Sequence, residues 1–219
     1  MRAFFSGAQD PISCHTHAFG ALAALIGGAV MLMRGVYTGA STVALAAAMC
    51  FVLSLIALYS ASAIYHFCPG NSAVDGAKRF LRKMDHSMIY VLIAGSYTSF
   101  CAVLLPQPMG MRFCAVLWCI AITGVGVKLA WVSAPRILST IVYVAMGWAV
   151  VFVIRDFASA GPFCVLLTAA GGICYSVGAV FYAIKRPNIN AEWTFHELFH
   201  LLILAGSFFH YRAVFFCVL

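Results

Sequence analysis

Seven long apolar stretches run through the chain, separated by short segments that hold most of the polar residues. A helix needs roughly 20 residues to cross a bilayer, and each stretch is of that order. The apolar residues do not alternate with a period of two, which favours helices over the strands of a membrane β-barrel. The pattern predicts an all-α membrane protein, a single seven-helix transmembrane bundle over residues 1–219, with helices at about 18–37, 40–66, 85–105, 112–131, 137–154, 162–185 and 193–217.

Composition supports lipid as the solvent of this chain. Of its 219 residues, 64% are hydrophobic and only 9% are charged, whereas a soluble domain carries roughly 25% charged residues. The formal net charge is +7, but the basic residues are scattered between the apolar stretches. They are typical of topology signals, and we expect no nucleic-acid partner.

The cysteines argue against a disulfide-rich protein, and the N-terminal segment argues against a cleaved signal peptide. The nine cysteines lie far apart without a CxxC pair, so we interpret them as small apolar residues and expect neither a disulfide framework nor a cysteine zinc site. The first fifteen residues include Asp10 and Pro11 and form no continuous apolar run. We therefore expect no cleaved signal peptide, and the first apolar stretch is predicted to act as an uncleaved anchor.

Loop charges predict the orientation of the bundle, because cytoplasmic loops are enriched in lysine and arginine. A cytoplasmic N-terminus places nine of the thirteen basic residues on the inner side and four on the outer side. We therefore expect the N-terminus in the cytoplasm and the C-terminus outside. The inner set is Arg2, Lys78, Arg79, Arg82, Lys83, Lys128, Arg136, Lys185 and Arg186, and the outer set is Arg34, Arg112, Arg155 and Arg212.

Four ionisable residues converge at one depth under this topology. His66 ends the second predicted helix, Asp85 begins the third, and His196 and His200 lie at the start of the seventh. All four are therefore predicted to lie at the cytoplasmic edge of the bundle. Ionisable residues at such positions are costly and mark functional sites.

These residue types favour a metal site. The spacing His196-x-x-x-His200 places two imidazoles on one helical face, about 6 Å apart along the axis, and His66 can supply a third nitrogen. Three histidines with an open fourth position are typical of a catalytic zinc. Asp85 is then predicted to act as the base, and Ser62, four residues before His66, to hydrogen-bond beside it.

Simpler interpretations stay open for each residue taken alone. His66 suits an interfacial anchor, and Asp85 suits a helix cap or an ion pair with Arg82 or Lys83. His15 and His17 are interpreted as interface anchors or as neighbours of the metal ligands. Further along the chain, Glu197 is interpreted as interfacial, His86 as lying on a different face from Asp85, and His210 as a helix contact roughly 20 Å from His196.

Several motifs together resemble the hemolysin III family, within the wider group of progestin and adiponectin receptors. They are Thr16-His17-x-x-Gly20, Ser62-Ala-Ile-Tyr-His66, Lys83-Met-Asp85-His86 with Leu92-Ile-Ala-Gly-Ser-Tyr-Thr98, and His196-Glu-Leu-Phe-His200 with Leu204-Ala-Gly-Ser207. The resemblance runs in order from about residue 12 to 215. One departure is visible, because Ser13 stands where bacterial members often carry asparagine.

The resemblance implies a seven-helix bundle with a zinc ion (Zn2+) held by His66, His196 and His200, and with Asp85 and Ser62 close to it. In the adiponectin receptors this site is associated with hydrolysis of the ceramide amide. The leading hypothesis is therefore a zinc-dependent hydrolase of the bacterial inner membrane that acts on an amide or ester of a membrane lipid. One alternative is a membrane sensor or homeostasis factor with structural zinc. The other is a cytolytic pore, but the predicted helices lack the polar stripe that would line one.

Overall fold

A computed structural model describes residues 7–131 and 136–219, with the side chain of Arg136 also outside the described part. Arg2 and Arg136, which enter the predicted orientation, are therefore not covered by the description. Seven helices in these ranges are long and apolar enough to cross a membrane. They confirm the predicted all-α membrane bundle, and we number them 1 to 7.

Helices 1 to 4 are Pro11–Thr38, Thr42–Phe67, Gly76–Val103 and Met109–Ala130. Helix 5 covers Ile137–Ala158, and a 3-10 segment, Trp148–Val153, interrupts its α-helical winding. Helices 6 and 7 are Pro162–Ile184 and Phe195–Cys217. Large apolar side chains such as Phe19, Leu53 and Phe152 point outward on these helices, as expected where lipid is the solvent.

Helices 1 and 3 begin earlier than the apolar pattern predicts, at Pro11 instead of 18 and at Gly76 instead of 85. Hydropathy measures only the part of a helix that faces lipid, whereas capping decides where the winding begins. Proline occupies the first turn of helix 1, where its missing N–H costs nothing. The Asp75 side chain accepts from the backbone N–H groups of Ala77 and Lys78. Asp85 is therefore not a helix cap, because it lies more than two turns inside helix 3.

Helices 1, 2, 3, 5, 6 and 7 form a closed circuit of contacts, and helix 4 packs against the outside of helix 3. Glycines allow the closest approaches: a Cβ added at Gly95 of helix 3 would lie 2.4 Å from Ser54 Oγ of helix 2, so the two backbones touch there. The circuit encloses a cavity, and one end of the bundle, which we call the histidine end, carries His66, Asp85 and His196.

Candidate metal centre

Three histidine side chains meet at the histidine end. One ring nitrogen from each of His66, His196 and His200 lies within 4.8 Å of the others. His66 comes from the end of helix 2, and the other two come from the first turns of helix 7. The pair in helix 7 shares a face because residues four apart are neighbours on a helix. The residues predicted as ligands are thus brought together.

The separation of the imidazoles fits a tetrahedral metal ion. Nε2 of His66 lies 3.3 Å from Nε2 of His196, and two nitrogens at zinc–nitrogen distances of 2.0–2.1 Å with a tetrahedral angle stand about 3.3 Å apart. A single hydrogen bond between the two rings would also give this distance. A hydrogen bond between two rings does not account for the third imidazole, because a ring nitrogen of His200 also lies within 4.8 Å of the other two nitrogens.

Asp10 orients the first of these histidines. Its Oδ2 lies 2.9 Å from Nδ1 of His66, and the hydrogen bond from the imidazole lowers the pKa of the Asp10 carboxyl from its ordinary value. The backbone N–H groups of Gln9 and Asp10 donate to the carbonyls of Phe67 and His66, which fixes the segment beside helix 2. With Nδ1 held in this way, Nε2 faces the other histidines, as in carboxylate–histidine–metal arrangements.

The sequence leaves His17 as an interface anchor or a neighbour of the ligands, and the structure places it directly against a candidate ligand. Its ring stacks on that of His200 with centroids 3.8 Å apart, and the side chain is 3% exposed. Both of its ring nitrogens are buried without a hydrogen-bond partner among the described residues. His17 therefore belongs to the cluster and closes it from the side of helix 1.

Asp85 and Ser62 lie near the cluster on neighbouring helices. Both line the cavity together with His196 and His200. The Asp85 carboxylate lies 3.3 Å from Nδ1 of His86, so adjacent residues in one helix meet despite their different faces. The Ser62 hydroxyl lies next to the Asp85 carboxyl and makes no hydrogen bond of ordinary geometry within the described residues.

Glu197 connects two ends of the chain at this site. Its carboxylate accepts from the backbone N–H of Thr194 at 3.0 Å and from the hydroxyl of Ser13 at 3.1 Å. The first contact belongs to a capping box that begins helix 7, and the second ties helix 7 to helix 1. Ser13, the position that departs from the family pattern, is therefore a donor to the segment that carries His196 and His200.

The cavity extends away from the histidines. It measures about 260 Å³, just below the usual range for small-molecule sites, which begins at about 300 Å³. Ser62, Asp85 and His196 line one end, and apolar side chains such as Phe100 and Phe157 line the other. His210 also lines the cavity, and its Nε2 lies 3.3 Å from the carbonyl oxygen of Thr168, so its predicted role as a helix contact describes only part of its surroundings.

Fold and site together define a multi-pass membrane protein with a buried histidine cluster at one end of an apolar cavity. The family model described as "Haemolysin-III related" matches residues 5–211, and the chain belongs to that family. It is 35% identical to the "Hemolysin-3 homolog" of Bacillus subtilis over 170 residues, which cover 77% of this chain and 74% of the relative. It is 32% identical to "Hemolysin-3" of Bacillus cereus over 207 residues, with coverages of 93% and 87%.

A more distant relative comes from animals. The "Monocyte to macrophage differentiation factor" of Homo sapiens is 23% identical over 215 residues, which cover 94% of this chain and 83% of the relative. The similarity extends along nearly the whole chain. Its name describes a cellular process and no reaction.

Proposed function

We propose that this protein is a zinc-dependent hydrolase of the bacterial inner membrane that cleaves an amide or ester bond of a membrane lipid. One observation carries the proposal: three histidines with ring nitrogens within 4.8 Å stand beside a carboxylate at the polar end of a long apolar cavity. A polar reacting centre at the head of an apolar cavity suits a substrate with a polar linkage and an acyl chain.

The residues present fit zinc. Three imidazoles, one of them oriented by a carboxylate, are typical of a catalytic site with an open fourth position. His66, His196 and His200 would hold the ion. When bound, zinc supplies a Lewis acid that polarises a carbonyl and makes water acidic.

Asp85 is assigned the transfer of protons at this site. Its carboxylate faces the cavity and touches His86, whose Nε2 lies 3.1 Å from the Tyr182 hydroxyl. Nδ1 of His86 also lies 2.9 Å from the carbonyl oxygen of Arg82, which can only accept, so this nitrogen carries a proton. His86 therefore stabilises the Asp85 carboxylate, which takes a proton from the cavity side and returns it there to the leaving group. Ser62 of helix 2 lines the cavity beside the carboxylate, where its hydroxyl can bind the substrate, and the Phe100 region of the cavity excludes water from the chain of the substrate.

Metal content and lipid turnover test this proposal on the purified protein. We expect about one zinc per chain, lost in His66→Ala, His196→Ala and His200→Ala. We expect Asp85→Ala to keep both zinc and fold while turnover of a labelled ceramide or acyl lipid falls by at least a hundredfold. Unchanged zinc in all three histidine variants would exclude the metal site.

A second candidate function is a membrane sensor or homeostasis factor with structural zinc. The burial of His66 and His200, each 2% exposed, favours it, because structural zinc sites are closed. A wild-type protein that binds zinc but turns over no lipid amide or ester would establish this candidate. Leakage of dye from liposomes, equal in wild type and Asp85→Ala, would instead indicate a pore.

A further inference from the structure

Three basic side chains line the cavity at the histidine end, next to Asp85 and His196. Arg82 and Lys83 belong to helix 3, and Lys128 belongs to the last turn of helix 4. The lysine and arginine residues on this side of the bundle are expected to act as topology signals, and a topology signal needs only a position at the membrane surface. These three share the cavity with the reacting groups, which a topology signal does not require.

Lys128 is the least expected of the three. Its residue surface is only 6% exposed, whereas a lysine near a helix end normally extends its ammonium group into water. Arg82, whose charge has the same sign, lines the same cavity. Two cations that line one largely apolar cavity are unfavourable there unless an anion compensates both charges.

The carboxylates at this end of the described structure do not supply that anion. Asp10 and Asp85 lie within 4.0 Å of the imidazoles of His66 and His86, and no ion pair joins a described carboxylate to Arg82, Lys83 or Lys128. Lys83 does donate through Nζ to the carbonyl of Leu129 at the end of helix 4. That contact brings its charge to the same place as Lys128 without neutralising either.

We propose that Arg82, Lys83 and Lys128 bind the phosphate of a lipid headgroup, so that the substrate of this site is an anionic phospholipid. The inference rests on the proposed hydrolase function and specifies its substrate class. A phosphate offers several acceptor oxygens to a guanidinium and two ammonium groups. With the phosphate held there, the acyl linkage lies towards Asp85 and the histidines, and the chain enters the apolar part of the cavity.

The test measures binding separately from hydrolysis. The probes are a fluorescent ether-linked phosphatidylglycerol, which a hydrolase of amides and esters cannot cleave, and an uncharged ether-linked diradylglycerol with the same chains. Affinities are measured on the purified full chain in an uncharged detergent. Lys128→Gln and Arg82→Gln each remove one charge, Lys128→Arg retains it, and Arg186→Gln removes an exposed charge of the predicted inner side that does not line the cavity.

We expect Lys128→Gln and Arg82→Gln each to weaken phosphatidylglycerol binding about tenfold, as the loss of a charged hydrogen bond implies. Binding of the uncharged lipid should not change, and Lys128→Arg and Arg186→Gln should behave as wild type. Equal wild-type affinity for the two lipids would overturn the proposal, as would an Arg186→Gln defect equal to that of Lys128→Gln. Circular dichroism of each variant controls for folding.

Competition identifies the source of the anion. Inorganic phosphate that displaces the lipid at similar concentration, with the same dependence on Lys128, would overturn the lipid assignment in favour of free phosphate. Oleate that binds more tightly than phosphatidylglycerol would overturn it in favour of a carboxylate. Turnover of a neutral lipid without any preference for phosphatidylglycerol would overturn this inference and leave the proposed hydrolase function intact. Binding of phosphatidylglycerol that depends on Lys128, without turnover of any lipid amide or ester, would overturn the hydrolase function and leave phosphate recognition intact.

Discussion

Removal of the Asp10 carboxylate is expected to weaken zinc binding without altering any ligand. The change Asp10→Ala deletes the acceptor 2.9 Å from Nδ1 of His66. That hydrogen bond selects the ring orientation in which Nε2 lies 3.3 Å from Nε2 of His196. Without it the ring can rotate and change tautomer, and part of the binding free energy goes into restoring its orientation.

The expected loss follows from the position of the carboxylate. Partners that orient a metal-bound histidine typically contribute 10–100-fold to metal affinity. The Asp10 side chain is 43% exposed, so water replaces part of its effect, and we expect the lower part of this range, about tenfold. Asp10→Asn keeps an amide oxygen as acceptor, and because a neutral hydrogen bond is roughly half as strong as a charged one, we expect about a threefold loss.

Competition between the protein and a zinc chelator of known affinity measures these losses. Glu192→Gln is the matched control, because it removes an exposed carboxylate in the loop before helix 7 without touching a candidate ligand. Loss of folding is not expected in Asp10→Ala, because the Asp10 side chain makes no capping hydrogen bond to helix 1. Wild-type zinc affinity in Asp10→Ala would refute the assignment of His66 as a ligand oriented through Nδ1.

Three further predictions concern packing and topology. Gly95→Ala should lower the free energy of unfolding by about 1–3 kcal/mol, because its Cβ would overlap Ser54 of helix 2. Gly126→Ala, whose added Cβ meets no atom of the described residues within 4 Å, should be neutral or stabilising. Equal thermal stabilities of the two variants would contradict this. Tyr59→Phe removes the hydroxyl 2.6 Å from Ser207 Oγ and should lower the free energy of unfolding by about 0.6 kcal/mol in denaturant titrations. An unchanged free energy of unfolding would contradict this prediction. An alkaline phosphatase fused after helix 7 should be active, because the C-terminus is predicted to lie outside. If the fusion after helix 7 is inactive and a fusion after helix 2 is active, the orientation is the reverse of the predicted one.

The spans could be predicted from the sequence because lipid imposes one requirement on every helix, an apolar run of sufficient length. The meeting of His66 with His196 also followed, since alternating helices return to the same side of the membrane. What hydropathy missed were polar helix starts. Pro11 directly after Asp10 is a readable helix start, and it would have moved the start of helix 1 back to include His17.

The partners of the ligands could not be predicted in the same way. The contact between Asp10 and His66 depends on a short segment that crosses from helix 1 to the end of helix 2, and no periodicity records that path. The meeting of Lys128 with Arg82 depends on how helix 4 is rotated against helix 3. Rotation is set by side-chain packing, which an apolar pattern leaves undetermined.

Assembly of the histidine cluster has a consequence for biosynthesis, because His66 and His196 lie 130 residues apart in the chain. At 5–20 residues per second, roughly 7 to 26 seconds separate their emergence from the ribosome. Asp10 and His66 can pair early, whereas helix 7 supplies the other two imidazoles last. Metal capture would thus be the closing event of insertion, and it would fasten the last helix of the bundle to the first two.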